Sequence, residues 1–159
     1  MSFATTDLSD AYPDAVVAEP LFSDFGGRSS FAGPIETVKV FEDNVLVKAT
    51  LQTPGEGRVL VVDAGGSMRC ALVGDVLAQI AIDNDWNGVV MYGCVRDTAV
   101  TRTMPIGIKA LAAHPKRSEK HGAGQRGVEV VFAGARFNPG AWLYADADGI
   151  LTSPVPIHG

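Results

Sequence analysis

The chain has 159 residues, 47% of them hydrophobic and 19% charged, with a net charge of -5 and a pI near 5.0. That suffices for one domain with a full core. It excludes global disorder and counts against direct binding to nucleic acid, because an acidic surface repels phosphate backbones.

The elements follow in chain order. Residues 5–12 read as a short helix stopped by Pro13. Residues 19–33 are turn-rich and carry Phe22, Phe25 and Phe31, an aromatic set expected in the core or at a subunit contact, while Arg28 is expected at the surface. Residues 34–41 read as a strand and 44–53 as a helix closed by Pro54-Gly55. The run 58–63 is apolar, β-branched and bounded by glycine, the pattern of a buried strand. A helix is predicted over 74–84, where Val73, Val76, Leu77, Ile80 and Ala81 recur at three- and four-residue spacings. Asp75 falls in its first turn, where the helix dipole favours negative charge. Residues 88–93 form a second buried strand, followed directly by Arg96 and Asp97. Beyond it, 98–103 read as a polar loop, 105–111 as a strand, and 115–127 as a mobile, solvated loop rich in glycine and basic residues rather than a phosphate or RNA patch. Residues 128–132 read as a strand, 138–140 as a turn, and 142–145 with 150–152 as a strand pair. The intervening Asp146-Ala147-Asp148-Gly149 lacks the other ligands of a calcium hand and reads as a hairpin turn.

No run approaches the roughly 18 apolar residues of a membrane helix, and residues 1–10 carry neither a basic region nor an apolar stretch. A soluble, cytoplasmic protein is expected, with Cys70 and Cys94 as buried thiols.

The segment from Arg58 to Asp97 organises the rest. Two strands joined by a helix suggest a right-handed parallel crossover. The helix N-terminus and the end of the second strand then share one sheet edge, so Gly74-Asp75 should face Arg96-Asp97. Open α/β sheets bind ligands at that carboxyl edge. Free backbone N–H groups there favour an anion, arginine can grip a carboxylate with two hydrogen bonds, and the two aspartates offer hard oxygens for a divalent cation. A small carboxylate site with a possible metal follows from the residues alone. His114, His121 and His158 lack zinc-ligand spacing. There is no nucleophile elbow or phosphate loop, and Val62-Asp63-Ala64-Gly65-Gly66 lacks the third glycine of a dinucleotide fingerprint.

Gly74-Asp75, twenty residues, then Arg96-Asp97 resembles the signature of the RraA-like family, and the stretches 19–28, 59–66 and 143–150 resemble that family as well. The family includes divalent-metal class II aldolases that cleave 4-hydroxy-4-methyl-2-oxoglutarate, and the regulator of ribonuclease E activity. The resemblance implies a single layered α/β/α domain of the swivelling type over residues 1–159, with a central mixed sheet, assembled as a ring-shaped homotrimer with sites between subunits. It also implies roles. A pyruvate-like 2-oxo acid would set its carboxylate on the amides of Gly74, Asp75, Val76 and Leu77, with Arg96 on the carboxylate or keto oxygen. Asp97 would help hold magnesium or manganese, and Asp75 would orient a proton-shuttling water. Retro-aldol cleavage and oxaloacetate decarboxylation share this enolate chemistry. The alternative is a non-catalytic regulator that binds an endoribonuclease. In the regulator branch the aspartate after the arginine is replaced, so Asp97 favours catalysis. Two departures stand against the longer aldolases: Ala141 lies where the family often carries aspartate, and the chain ends at Gly159 without their C-terminal part.

Overall fold

The computed structural model describes residues 2–158; Met1 and Gly159 lie outside them. In chain order the elements are α1 (Thr5–Ala11), β1 (Val16–Val17), β2 (Ser23–Asp24), β3 (Phe31–Lys39), α2 (Val45–Leu51), β4 (Val59–Asp63), β5 (Ala71–Val73), α3 (Asp75–Asp83), β6 (Gly88–Val95) and α4 (Thr98–Thr101). Then come β7 (Gly107–Ala113), β8 (Gln125–Arg126), β9 (Val130–Phe132), β10 (Ala135–Phe137), β11 (Trp142–Asp146) and β12 (Gly149–Ser153). No helix is long and apolar enough to cross a membrane among the described residues.

The central sheet is mixed, in the order β1-β12-β11-β3-β4-β6-β7-β2. Its middle, β3-β4-β6-β7, is parallel, and β4 is buried along its whole length, as parallel strands covered on both faces must be. Antiparallel strands flank that middle at both ends.

Strand alternation sends two sets of side chains to opposite faces. Val38, Leu60, Val62, Val89 and Met91 pack under α2 and α3 with Val47, Leu51, Leu77, Ala78 and Ala81. On the same side, farther along the sheet, α1 sets Leu8 against Ala32, Tyr144 and Leu151. The other face carries Ile35, Val59, Val61 and Val90 against Phe132 and Phe137 of the β9–β10 hairpin. The domain is thus a layered α/β fold on a mixed sheet, with a hairpin covering the second face.

That second face is concave. Lys109, on β7, is only 3% exposed, yet its Nζ donates to the Asp146 carbonyl at the end of β11 (2.6 Å) and lies 3.0 Å from Asp24 Oδ1. β7 and β11 are separated by β6, β4 and β3 in the sheet order, so the sheet must curl for the contact to form. Phe31 fills the curl. Its ring lies against the bare Cα atoms of Gly88 and Gly107, where any Cβ would run into it. Those glycines start neighbouring strands at paired positions, and their missing side chains make the slot that the ring occupies.

Several expectations need correction. Strand β3 begins at Phe31, not at 34, and β2 lies inside the region read as turns. The three phenylalanines do not form one cluster: Phe25 packs under the helices, while Phe22 and Phe31 lie on the concave side. The polar stretch 98–103 holds α4, whose start Asp97 governs through a carbonyl accepting from Val100 N–H (3.0 Å) and Thr101 N–H (2.9 Å). Residues 115–127 are not a free loop but a strap held to the body, described below.

The Phe31 slot yields a test. Phe31→Ala should cost ~3–5 kcal/mol by denaturant titration, as expected for an aromatic removed from a packed core, and Gly107→Ala should cost ~2–3 kcal/mol by overpacking. The double variant should cost at least 1 kcal/mol less than their sum, because the added methyl then fills part of the vacated slot; strict additivity would show that the two groups do not share it.

Candidate active site

At the carboxyl edge of the parallel strands lies a cleft of about 210 Å³, lined among others by Gly74, Asp75, Val76, Leu77, Arg96 and Asp97. The structure therefore brings all six sequence-derived residues to one place. Topology does this. β5 pairs in parallel with β6, setting Ala71 against Cys94 and Val73 against Val95. The chain leaves β5 directly into α3 while β6 runs on to Arg96, whose N–H donates to the Val73 carbonyl (2.9 Å). Helix start and strand end are thus hydrogen-bonded neighbours.

The local geometry is tight. Gly74 is the residue before α3, in extended conformation (φ -131°, ψ -160°), and no side chain caps the helix. The Asp75 N–H instead points to Asp97 Oδ2 at 3.4 Å. A Cβ on Gly74 would lie 2.5 Å from that same oxygen and 3.3 Å from Arg96 Cγ. A side chain at 74 would therefore have to displace the Asp97 carboxylate from its observed position. Asp97 itself adopts the left-handed conformation (φ 56°, ψ 36°), which aspartate tolerates better than most residues but which still costs backbone energy. Arg96 Nε sits 4.0 Å from Asp97 Oδ2, with both side chains about two-fifths exposed, and Arg96 also reaches the Pro115 carbonyl at 3.5 Å.

Four further lining residues were not read from the sequence: Asn44 and Lys48 from the start of α2, and Arg117 and Lys120 from the strap. Asn44 ties these elements to β5: its Nδ2 donates to the Leu72 carbonyl (3.0 Å) and its Oδ1 accepts from Lys120 Nζ (2.9 Å). The strap is anchored by Asp43, 3% exposed. One Asp43 oxygen accepts from His121 N–H (2.9 Å) and Ala123 N–H (3.2 Å), the other from Val45 N–H (3.1 Å). In the same strap, Glu119 N–H donates to the Glu42 carbonyl (2.9 Å), and Ala71 N–H donates to the Lys116 carbonyl (2.8 Å). Burial pushes the Asp43 carboxyl up, but the backbone N–H groups of Val45, Ala123, His121 and Gly122 outweigh it and hold it below its ordinary range. Nearby, Glu42 is drawn down to about 2 by the Arg69 guanidinium, which bonds both its oxygens (2.6 and 2.7 Å), and then by the Ser67 hydroxyl.

Among the described residues there is no group of three or more His, Cys, Asp or Glu side chains that could cage a metal. The donor set of the cleft, Asp97 with Asp75 beside it, suits magnesium or manganese. Such hard cations keep several waters and need only one or two carboxylates plus substrate oxygens. The three histidines lie elsewhere: His114 Nδ1 accepts from Lys116 N–H (3.1 Å), His121 lies 3.6 Å from Glu119, and His158 Nδ1 pairs with the Tyr144 hydroxyl (2.6 Å). Cys70 and Cys94 are free and buried, and burial raises both thiols.

A family model described as RraA-like, Aldolase/RraA, matches residues 5–152. The chain is 54% identical over 158 residues to a Laribacter hongkongensis protein provisionally named 4-hydroxy-4-methyl-2-oxoglutarate aldolase, covering 99% of each. A Pseudomonas fluorescens protein with the same provisional name is 54% identical over 156 residues, covering 98% of this chain and 96% of the relative. A solved structure described as the RNA-processing inhibitor RraA from Thermus thermophilis superposes with a TM-score of 0.96 at 49% identity, covering 100% of this chain and 97% of that one. Another, described as an S-adenosylmethionine:2-dimethylmenaquinone methyltransferase from Geobacillus kaustophilus, has a TM-score of 0.94 at 47% identity, covering 98% and 97%.

The strap's anchor gives the second test. Because the folded Asp43 carboxyl titrates below its ordinary value of 3.8, its contribution is fully present above that pH and is lost as pH falls through the lower folded value. Asp43→Ala should destabilise the protein by ~3 kcal/mol at neutral pH, since several N–H groups lose a charged acceptor. It should also open residues 115–127 to limited proteolysis and flatten the fall in melting temperature below pH 4. An intact strap in the variant would refute the anchoring.

Proposed function

Because the chain belongs to the RraA-like family, we propose that the cleft is the active site of a divalent-metal-dependent 2-oxo-acid lyase. It would cleave 4-hydroxy-4-methyl-2-oxoglutarate-type substrates to pyruvate and decarboxylate oxaloacetate. The observation that carries this reading is the convergence of three features on one cleft: the uncapped α3 N-terminus, Arg96, and the Asp97 carboxylate fitted over Gly74.

In this reading the substrate carboxylate lies on the backbone N–H groups at the start of α3, from Gly74 to Leu77, where hydrogen bonding and the helix dipole both favour an anion. Arg96 holds the carboxylate or the keto oxygen by paired hydrogen bonds, fixing the bond to be broken. Asp97, with Asp75 at its side, holds the cation. Bound there, magnesium or manganese supplies Lewis-acid stabilisation of the negative charge that develops on the keto oxygen. Asp75 orients a water that takes the proton of the C4 hydroxyl. The C3–C4 bond then breaks, its electron pair passes into the enolate of the first pyruvate, and the carbonyl of the second forms. The same water returns the proton to C3, so the products are two pyruvates and no redox partner is consumed. In oxaloacetate the departing fragment is carbon dioxide and the enolate is the same.

The methyltransferase name of one close structure finds no support at the corresponding strand end. Gly65 and Gly66, both at positive φ (67° and 71°), turn the chain after β4, and the rings of Phe41 and Tyr92 lie over their Cα atoms. The sequence there also lacks the third glycine of a dinucleotide fingerprint. The homology to a protein described as an RNA-processing inhibitor, at 49% identity, supports a second reading as an endoribonuclease-binding regulator. Failure to capture an endoribonuclease in a pull-down would count against it. The assembly that accompanies the lyase reading is a homotrimer.

Arg96→Ala should lower kcat/KM for oxaloacetate decarboxylation at least 100-fold, about 3 kcal/mol, the scale for losing one partner of a hydrogen-bonded charge pair that the bound substrate buries. Asp97→Asn should abolish stimulation by magnesium or manganese while keeping the fold, since asparagine also tolerates the left-handed conformation. Turnover of the arginine variant at the wild-type rate, or an unchanged metal response in the asparagine variant, would sink the assignment.

A further inference from the structure

The start of α3 is where the lyase reading puts a substrate carboxylate, and a carboxylate of the chain itself stands there. The first helical bond of α3 runs from Ala78 N–H to the Gly74 carbonyl (3.0 Å). The N–H groups of Asp75, Val76 and Leu77 therefore have no acceptor within the helix. The first of them points to Asp97 Oδ2 at 3.4 Å. The same oxygen lies 4.0 Å from Arg96 Nε and fills the space that a Cβ on Gly74 would take. Amide and guanidinium are the two donors that the reading assigns to the substrate. Asp97 Oδ2 stands between them as an oxygen of a bound carboxylate would.

The manner of its placement matters. A charge-assisted N–H···O bond is ordinarily about 2.7–2.9 Å long, so both contacts of this oxygen are slack. The side chain is also 43% exposed, where water competes for it. What fixes the carboxylate is its backbone. Asp97 is held in the left-handed conformation (φ 56°), with its carbonyl accepting from Val100 and Thr101 N–H, and Gly74 leaves the room. A group placed by the backbone but weakly bonded yields readily to a stronger partner. A divalent cation is such a partner, because carboxylate oxygens are its preferred ligands.

We infer that the Asp97 carboxylate is a self-inhibitory plug on the α3 N-terminus, one that a substrate carboxylate must displace and that a cation bound to Asp97 draws aside. The inference rests on the lyase reading and deepens it, adding a control on the same site. Without a cation the incoming carboxylate is opposed twice: its donors are shared with Asp97, and the two negative charges repel. A cation on Asp97 frees the donors and offsets the charge. Cation and 2-oxo acid then raise each other's affinity by one common factor, and the site takes up substrate chiefly when it can process it.

The test reads binding rather than turnover. Pyruvate is titrated calorimetrically into wild type, Asp97→Gly and Asp75→Asn, each with a chelator and again with magnesium. Glycine suits the left-handed position and clears the carboxylate from the amide. In chelator, Asp97→Gly should bind pyruvate at least tenfold more tightly than wild type, about 1.4 kcal/mol. Asp75→Asn removes the same charge from the same cleft, but the Asp75 side chain does not cap α3, so its gain should stay below threefold. Magnesium should tighten wild-type binding at least tenfold and leave Asp97→Gly unchanged. Circular dichroism would verify that the variants fold. Metal-free affinity no higher in Asp97→Gly than in wild type would overturn the inference and leave the lyase reading in place. An equal gain in Asp75→Asn would do the same, by showing repulsion alone. Failure of folded wild type to bind pyruvate even with magnesium would overturn the lyase reading, and this inference with it.

Discussion

Asp43 carries its charge where only 3% of the residue is exposed, and backbone N–H groups from two directions make that possible: Val45 at the start of α2, and His121 with Ala123 in the strap. A buried carboxylate without such partners would cost several kcal/mol. The chain on both sides of it is therefore obliged to come to it. The strap's cations reach the cleft through that obligation. Asn44, the next residue, reaches the Leu72 carbonyl and receives Lys120, while the strap runs back past Ala71 and carries Arg117 to the cleft. One buried charge thus brings a stretch of glycines and basic residues to the cleft, where Arg117 and Lys120 join its lining.

The β5–β6 edge of the cleft is built from close contact rather than charge burial. Gly74 leaves room for an oxygen of Asp97, and Asp97 accepts a left-handed backbone to put that oxygen there. Neither feature helps the fold: a side chain at 74 would strengthen the strand exit, and a right-handed residue at 97 would start α4 with less strain. Both are understandable if the carboxylate must stand over the first amide of α3 with the guanidinium of Arg96 alongside. Strain of this kind persists where the surrounding structure over-determines it. Here β5, hydrogen-bonded to β6 up to the Arg96 amide, does so.

The sequence was most legible where one physical rule controls each step. The apolar runs before and after α3 could only be buried strands, parallel strands joined by a helix share one crossover geometry, and so Gly74-Asp75 and Arg96-Asp97 had to meet. It was least legible where a distant partner overrides local composition. The three-residue strand β5 is too short for a periodicity to show. Residues 115–127 look solvated because their own side chains are polar, whereas what holds them is the buried carboxylate of Asp43, far away in sequence. Phe31 reads as part of a turn-rich region because the slot that makes it a strand start is formed by Gly88 and Gly107. The polar stretch after Asp97 becomes a helix because Asp97 itself supplies the first carbonyl. An aspartate flanked by a strand and a helix start, Phe41-Glu42-Asp43-Asn44, was the one local signal that could have prompted a search for a second segment folded onto it.

Close relatives of this chain bear names from three unrelated chemistries: a carbon–carbon lyase, an RNA-processing inhibitor and a methyl transferase. With TM-scores of 0.96 and 0.94 the backbone cannot discriminate among them, and function has to be argued from the site. The turn after β4, Asp63-Ala64-Gly65-Gly66, lacks the glycine spacing of a dinucleotide-binding strand end. An inhibitor acting through its surface has no use for a strained aspartate seated over a glycine inside a cleft, or for unpaired cations lining the same cleft. A lyase for anionic oxo acids has use for both. Under the proposed lyase reading, the carboxylate and arginine at the end of β6 act at the bond that breaks. On a chain of net charge -5, the cations gathered at this cleft favour a small anion there over the rest of the surface.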